Sequence, residues 1–98
     1  MIVVREVFQL HYGKAREAVA LAKELMRASP AMAGSRHRIL TDLVGRYYTL
    51  VMEMEYVSLT AFEAAMAVEF AGDQMRDIHA RLAPLVMEGR REVFNVVE

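Results

Sequence analysis

The chain has 98 residues, 55% of them hydrophobic, and its 12 basic and 13 acidic side chains leave a net charge of -1. This near balance, without a cationic stripe, argues against a nucleic-acid partner. The absence of cysteine excludes disulfides, thiolate metal sites and a cysteine nucleophile. A monomer of this size buries only about 60–65% of its unfolded surface, so the apolar surplus predicts a face covered by a partner or a ligand.

The first residues are predicted to form a strand. Residues 2–12 alternate, so that Val4, Phe8 and Leu10 share one side with Glu6. Charges interrupt this short apolar stretch, which predicts neither a signal peptide nor a membrane span. A cytoplasmic protein without a membrane partner is therefore expected.

Gly13 and Lys14 follow this strand, and a Gly-Lys pair between a strand and a helix raises the question of phosphate binding. A Walker loop requires a further glycine upstream, and no glycine precedes Gly13. A helix N-terminus attracts anions in general. The favoured interpretation is a structural turn, because glycine relieves the backbone where the chain bends sharply.

Residues 14–29 are predicted to form an amphipathic helix that Pro30 ends. Its apolar positions recur at helical spacing, and the predicted buried face is Ala18, Leu21, Ala22, Leu25 and Met26.

The next segment predicts a β-hairpin around Gly45-Arg46, because glycine in the first position of a two-residue loop suits a type II′ turn. This register pairs Leu43 with Tyr48 and Val44 with Tyr47 at the turn. Further along the strands it sets Arg38 opposite Glu53 and Arg36 opposite Glu55. A shift by one residue would set the arginines opposite apolar side chains.

A second helical region is predicted from Ser58 onward, with capping-box spacing from Thr60 to Glu63. Gly72 interrupts it, and Asp73 is predicted to cap the restarted helix. The apolar face of that second part is Met75, Ile78, His79, Leu82 and Val86. Gly89 is predicted to end the helix, and residues 91–98 to form the last strand.

The resulting order is β-α-β-β-α-β, which predicts an α+β, ferredoxin-like fold in a single domain of residues 1–98. Both helices should cover one face of a four-stranded antiparallel sheet. A second subunit is expected to cover the other face, including Leu40, Val44 and Val51.

Three segments resemble the dimeric α+β barrel superfamily, and most of all its NIPSNAP-like and antibiotic-biosynthesis-monooxygenase-like small proteins. They are "YGK", "YYTLVMEMEYVSLTAFEAAM" and "LAPLVMEGRREVFNVVE". The resemblance implies two sheets packed face to face, with a cavity between the sheet and the helices of each subunit. Members include cofactor-independent oxygenases, haem-degrading enzymes, isomerases, dehydratases and proteins of no known activity, so the fold restricts function little.

His79 is the candidate catalytic residue. On an apolar helix face, desolvation lowers the pKa of histidine and leaves a neutral imidazole that can act as a base. The resemblance implies functional histidines in a comparable helix of haem-degrading and quinone-forming relatives, commonly with asparagine and tryptophan. This chain has no tryptophan, and its only asparagine is Asn95. The alternative is a structural histidine bonded to a backbone carbonyl.

The other candidate ligand-binding residues are polar or aromatic side chains near strand ends and along the hairpin: His11, Tyr12, His37, Tyr48, Tyr56 and Asn95. Packing in the core or a dimer seam is the alternative for the aromatic ones, as for the methionines beside them. The scattered histidines predict no metal site, and no cofactor is expected.

Two arginine pairs raise the question of an acidic ligand. Arg90 and Arg91 are adjacent, and Arg36 and Arg38 lie in the hairpin. Solvated or paired arginines are the favoured interpretation, since the hairpin register already provides glutamate partners for the second pair.

Two functions from different classes remain open. The favoured one is a homodimeric ligand-binding or assembly protein whose mostly apolar sheet–helix pocket takes a small hydrophobic molecule. The alternative is a cofactor-independent monooxygenase-like or isomerase-like enzyme that acts on a small hydrophobic or aromatic substrate, with His79 as general base.

Overall fold

The computed structural model describes residues 1–32 and 34–98. Its strands are β1 (Ile2–Leu10), β2 (His37–Thr41), β3 (Thr49–Tyr56) and β4 (Val86–Asn95). Its α-helices are α1 (Ala15–Ala28), α2 (Leu59–Glu69) and α3 (Asp73–Leu82). Short 3₁₀ turns follow α1 at Pro30–Met32 and α3 at Ala83–Leu85.

The sheet has the strand order β2-β3-β1-β4, and every neighbouring pair is antiparallel. The predicted α+β, ferredoxin-like fold is therefore confirmed, with the second helical segment split in two. One face of the sheet joins the helices in a continuous apolar core, to which β1 contributes Val4 and Leu10 and β3 contributes Leu50. The sheet of this chain stays open. Within the described residues no helix combines the length and apolar character needed to cross a membrane.

Helix α1 has the predicted buried face. Its buried residues are Ala18, Leu21, Ala22, Leu25 and Met26. The helix ends where Ser29 turns to an extended conformation and its N–H still bonds to the carbonyl of Leu25 at 2.8 Å. Pro30 then starts the 3₁₀ turn, as expected of a residue without an N–H.

The predicted hairpin register is confirmed, but the predicted turn is wrong. His37 lies opposite Met54 and Arg38 opposite Glu53, with the Arg38 Nε 2.8 Å from a Glu53 carboxylate oxygen. The ladder stops at Thr41, however, and β3 starts only at Thr49. Residues 42–48 form a loop in place of a two-residue turn.

The carboxylate of Asp42 explains the wider loop. It accepts the Thr49 N–H at 3.0 Å, so a side chain takes over a backbone hydrogen bond of the ladder. Leu43 and Val44 are each 96% exposed in the loop and form no strand pairs with Tyr48 and Tyr47. Val44 is therefore not part of the open sheet face.

The helix after β3 starts from Ser58, as predicted, two residues before the N-cap that the capping-box spacing at Thr60 indicated. Ser58 is the N-cap, and its hydroxyl accepts the Ala61 N–H at 3.1 Å. The predicted break at Gly72 is present, but Gly72 itself occupies the N-cap of α3. The carboxylate of Asp73 instead accepts a hydrogen bond from Arg76 at 2.8 Å.

Strand β4 is longer than predicted, because the 3₁₀ turn at Ala83–Leu85 ends the helix and β4 then pairs with all of β1. Gly89 is a strand residue opposite Phe8, so its predicted role as a helix terminator is wrong. A Cβ at position 89 would lie 2.8 Å from the Cδ1 of Phe8. The missing side chain makes room for the Phe8 ring.

The open face of the sheet carries a row of ion pairs that crosses all four strands. Arg38 pairs with Glu53, and Glu53 also lies 3.3 Å from the Nε of Arg5. Arg5 reaches Glu92 of β4 at 3.7 Å, and Glu92 lies 3.0 Å from Arg90. The charges on this face therefore neutralise one another within the chain.

Candidate functional site

A cavity of about 130 Å³ lies between the sheet and the helices. Its walls are mainly apolar and rich in methionine: Met26, Met32, Met52, Met54 and Met66 line it together with Phe8, Leu25 and Phe70. Methionine side chains adapt to irregular shapes, so these walls can adjust to small differences in a ligand. Four polar side chains join them: Glu6, Glu69, His79 and Arg91.

Glu69 is a buried carboxylate with only 4% of its surface exposed. It accepts hydrogen bonds from the Ser29 hydroxyl, whose oxygen lies 2.7 Å from Oε1 and 3.0 Å from Oε2. Ser29 is equally buried, and its oxygen accepts the Ala31 N–H at 3.2 Å. This short chain of hydrogen bonds satisfies a charge that is costly to bury unpaired.

Glu6 and Arg91 form an ion pair between β1 and β4. The Arg91 guanidinium also lies 5.0 Å from the centre of the Phe62 ring, within the range of a cation–π contact. Both charged groups of this pair therefore have partners inside the chain.

His79 comes from α3 and packs on Phe70, with 4.5 Å between the ring centres. Its Nε2 is buried and has no hydrogen-bond partner in the described part of the chain. Burial lowers the pKa of His79, and the negative charge of Glu69 opposes that effect to a smaller degree. The imidazole is therefore neutral at pH 7, with an unsatisfied ring nitrogen beside an apolar cavity.

Tyr56 stands behind the cavity wall. Its ring packs edge-to-face on Phe62 at 5.3 Å, and its hydroxyl donates to the carbonyl of Ala31 at 3.1 Å. Burial raises the pKa of Tyr56, and the charges of Glu69 and Glu6 raise it further. The phenol remains protonated and supports the turn that follows α1.

The structure places the other predicted site residues outside the cavity. Tyr12 and Tyr48 meet edge-to-face at 4.9 Å on the opposite side of α1. His11 is exposed at the end of β1, and its N–H bonds to the Leu85 carbonyl at 2.9 Å.

His37 and Asn95 lie at strand ends. His37 is exposed at the start of β2, with its Nδ1 3.2 Å from the Ser35 carbonyl. Asn95 is exposed opposite Ile2 at the end of β4. In residues 1–32 and 34–98, no group of three or more histidine, aspartate or glutamate side chains is arranged to hold a metal ion.

Two carboxylates of the cavity were not among the predicted site residues, although their positions carried a signal. Glu69 lies seven residues after Phe62 and three after Met66, which puts it on the apolar face of α2. Glu6 alternates with Val4 and Phe8 on the core side of β1. A charged residue at an apolar position is the pattern that predicts a buried, paired group.

Solved structures of the same architecture are known. An uncharacterised NIPSNAP domain protein from Burkholderia xenovorans has a TM-score of 0.85 at 16% identity, over 99% of this chain and 95% of that chain. A NIPSNAP family protein from Agrobacterium tumefaciens has a TM-score of 0.84 at 17% identity, over 96% and 90% of the two chains.

A candidate antibiotic biosynthesis monooxygenase from Nitrosomonas europaea has a TM-score of 0.78 at 13% identity, over the whole of both chains. The fold is that of NIPSNAP and antibiotic-biosynthesis-monooxygenase-like proteins. The resemblance seen in the sequence is thus confirmed at the level of the fold. No family model matches the chain, and neither does any curated protein sequence. At identities of 11–19% the likeness carries the fold alone.

Proposed function

We propose that this protein binds a small aromatic or otherwise mostly apolar molecule in the sheet–helix cavity, with His79 making the directional contact. The observation that carries the proposal is the buried, unpartnered Nε2 of His79 beside methionine-rich walls. A buried polar atom without a partner costs free energy, which a hydrogen bond from a ligand would offset.

The size and polarity of the cavity support a single-ring ligand. An apolar protein cavity of about 150 Å³ accommodates benzene, and this one measures about 130 Å³. Glu69 is already bonded to Ser29, and Glu6 to Arg91. The unsatisfied atom is on His79, so a ring with one hydroxyl or carbonyl group fits better than a charged molecule.

Methionine methyl groups provide a direct binding assay, because five of the eight methionines line the cavity. With carbon-13-labelled methionine, we expect phenol to shift those methyl signals at lower concentration than benzene does. His79→Phe should remove the preference for phenol, while His37→Phe, at an exposed site, should keep it. Absence of any methyl shift, or a preference that survives in His79→Phe, would contradict the proposal.

Proton abstraction is the second candidate function. A histidine with a lowered pKa is neutral at pH 7 and can accept a proton. The nearby charge of Glu69 favours the imidazolium that would form. This arrangement supports a cofactor-independent monooxygenase-like or isomerase-like enzyme that starts by removing an acidic proton from its substrate.

Deuterium exchange tests this second function without a known substrate. Acetophenone in D₂O should exchange its methyl protons faster with the protein than with buffer, and His79→Gln should remove the acceleration. Equal rates for the two proteins would exclude His79 as the base while leaving the binding assay unaffected.

We further propose that the chain forms a homodimer through the open sheet face. Val7 and Val51 lie in the middle of this face but are each only 7% exposed in the single chain, so the apolar surface left for a partner includes Phe94, which is 49% exposed at the β4 edge. The charges between them are paired within the chain, so a second copy can cover the face without leaving a charge unpaired.

A further inference from the structure

A wide groove of about 960 Å³ runs along α1 on the side away from the cavity, and it shares no lining residue with that cavity. Helix α1 forms one wall, with Arg16, Lys23 and Arg27. Three tyrosines contribute to the other side: Tyr12 from the β1–α1 turn, and Tyr47 and Tyr48 from the loop of residues 42–48.

The arginines of this groove differ from the other arginines of the chain. Of its ten arginines, eight form ion pairs with a carboxylate. The two that make no such pair in the described part of the chain are Arg16 and Arg27, and both line the groove. Lys23 lies seven residues after Arg16, on the same side of α1.

The groove contains little negative charge to balance these cations. Asp42 is the one acidic side chain among the described residues that line it, and its carboxylate already accepts the Thr49 N–H at 3.0 Å. Each exposed charge alone attracts an anion weakly. Three of them along one wall make a surface that favours a negatively charged ligand.

The tyrosine side is held by a strained backbone. Tyr48 has a φ of 59°, in the left-handed region that bulky residues rarely adopt. Its ring packs on Tyr12 at 4.9 Å, and the side-chain amide of Gln9 donates to the carbonyls of Tyr47 and Tyr48. Strain of this kind persists where the surroundings impose it, and it is concentrated at functional sites.

From these two sides we infer a second ligand site, which takes a small anionic molecule that carries an aromatic ring. A guanidinium group binds carboxylate or phosphate oxygens, and tyrosine rings pack on planar groups. Lys23 and Arg27 are four residues, or about 6 Å, apart along the helix axis, so one anionic group can lie near both of them. A neutral aromatic compound would leave the cations without a partner, and a simple anion would leave the tyrosines unused.

The site does not depend on the proposed function of the cavity, and a separate experiment tests it. The probe is 1-naphthyl phosphate, with 1-naphthol and inorganic phosphate as its two halves. In an amide NMR titration we expect the phosphate ester to shift signals from α1 and from Tyr47 and Tyr48. Each half should bind at least about tenfold more weakly than the ester, because it engages only one side of the groove.

Two double variants with the same change in charge separate the groove from general electrostatics. Arg16→Gln/Arg27→Gln should weaken binding of the ester about tenfold. Arg36→Gln/Arg76→Gln, at exposed arginines outside the groove, should leave it nearly unchanged. Equal affinity in the two double variants would overturn the proposal.

The two halves of the probe supply further tests. Binding of 1-naphthol as tight as that of the ester would reduce the groove to an apolar surface. Equally tight binding of inorganic phosphate would reduce it to a general anion site. Signal changes confined to the cavity, around Phe70 and His79, would assign the probe to the other site. Each of these outcomes overturns the proposal.

Tyr48→Gly tests the aromatic side, because glycine adopts positive φ without strain and removes the ring. The variant should fold and should bind inorganic phosphate as the parent does. Its affinity for 1-naphthyl phosphate should fall toward that for phosphate. Unchanged affinity for the ester would show that the tyrosine takes no part.

Discussion

The Ser29 hydroxyl lies 2.7 Å from the Glu69 carboxylate and joins the ends of α1 and α2 across 40 residues of sequence. Both side chains are buried. The residue after Glu69 is Phe70, whose ring packs on His79. One hydrogen bond thus holds the helix end that positions the ring against the candidate base.

Glu69→Gln should lower the pKa of His79 further. The glutamate charge raises that pKa against the larger effect of burial, and glutamine keeps the shape and an oxygen that can accept the Ser29 hydroxyl. The measurement is an NMR titration of the His79 ring proton. Glu63→Gln, on the exposed side of α2, serves as the control and should leave the titration unchanged. A His79 pKa that stays constant or rises in Glu69→Gln would be inconsistent with the structure.

The stability of the protein should fall on mild acidification. The pKa of His79 is below its ordinary value of 6.5, so the unfolded chain binds more protons than the folded one as pH drops through that value. The contribution of His79 to the free energy of unfolding is therefore least favourable at low pH. This penalty disappears above the pKa that the histidine has in the unfolded chain. Between about pH 7.5 and 5.5 the urea midpoint of His79→Gln should fall less than that of the parent.

The exposed His37 provides the comparison for this pH effect. His37→Gln should show the same loss of stability with acidification as the parent. If the urea midpoint of His79→Gln fell with pH as steeply as that of the parent, another group would be responsible for the pH dependence.

Gly89→Ala should destabilise the protein by about 1–3 kcal/mol, because the new methyl group overlaps the Phe8 ring. In a Phe8→Leu background the same substitution should cost less, which a double-mutant cycle of urea unfolding measures. Gly72→Ala is the steric control, since nothing in the described part of the chain lies within 4 Å of its added methyl group, and its cost should be that of alanine at a helix N-cap alone. Additive costs at positions 8 and 89 would show that the two residues do not compete for space.

Arg38 and Glu53 should be coupled by about 0.3–1 kcal/mol in a double-mutant cycle with glutamine at each position. Glu53→Gln should cost more than Arg38→Gln, because Glu53 also lies 3.3 Å from Arg5. Exchanging the two residues is a poorer test, because an arginine at position 53 would lie beside Arg5. Independent effects of the two substitutions would show that the pair contributes nothing.

Light scattering should give about twice the 11.1 kDa chain mass at micromolar concentration. Phe94→Glu, which adds a charge to the open sheet face, should reduce the mass to that of one chain. Leu43→Glu, in the exposed loop, should not. A single-chain mass for the parent would refute the proposed dimer.

Periodicity predicted those parts of the fold that depend on which face of an element is buried. The five buried positions of α1 and the pairing of Arg38 with Glu53 both follow from spacing along one segment. The hairpin turn did not follow, because an Asp42 side-chain hydrogen bond replaces a backbone one. Whether a side chain replaces a backbone hydrogen bond depends on local geometry, which the spacing of residue types along the sequence does not indicate.

The site was harder to predict because its contacts join distant segments. The helix face of His79 was predicted, and Met75, Ile78 and Leu82 on that face are buried. The partner of Glu69 is a serine 40 residues away, at a helix end that the pattern of α2 does not indicate. The groove likewise depends on α1 and the loop of residues 42–48, which meet only in the folded chain.

The ion-pair row of the open face has a direction. Read from β2 to β4, Arg38, Glu53, Arg5 and Glu92 alternate from positive to negative. Two copies stacked about a two-fold axis parallel to the row would set each charge against its like. A two-fold axis parallel to the strands reverses one row and sets every charge against its opposite. Of these two arrangements, the row favours the one whose symmetry axis runs along the strands.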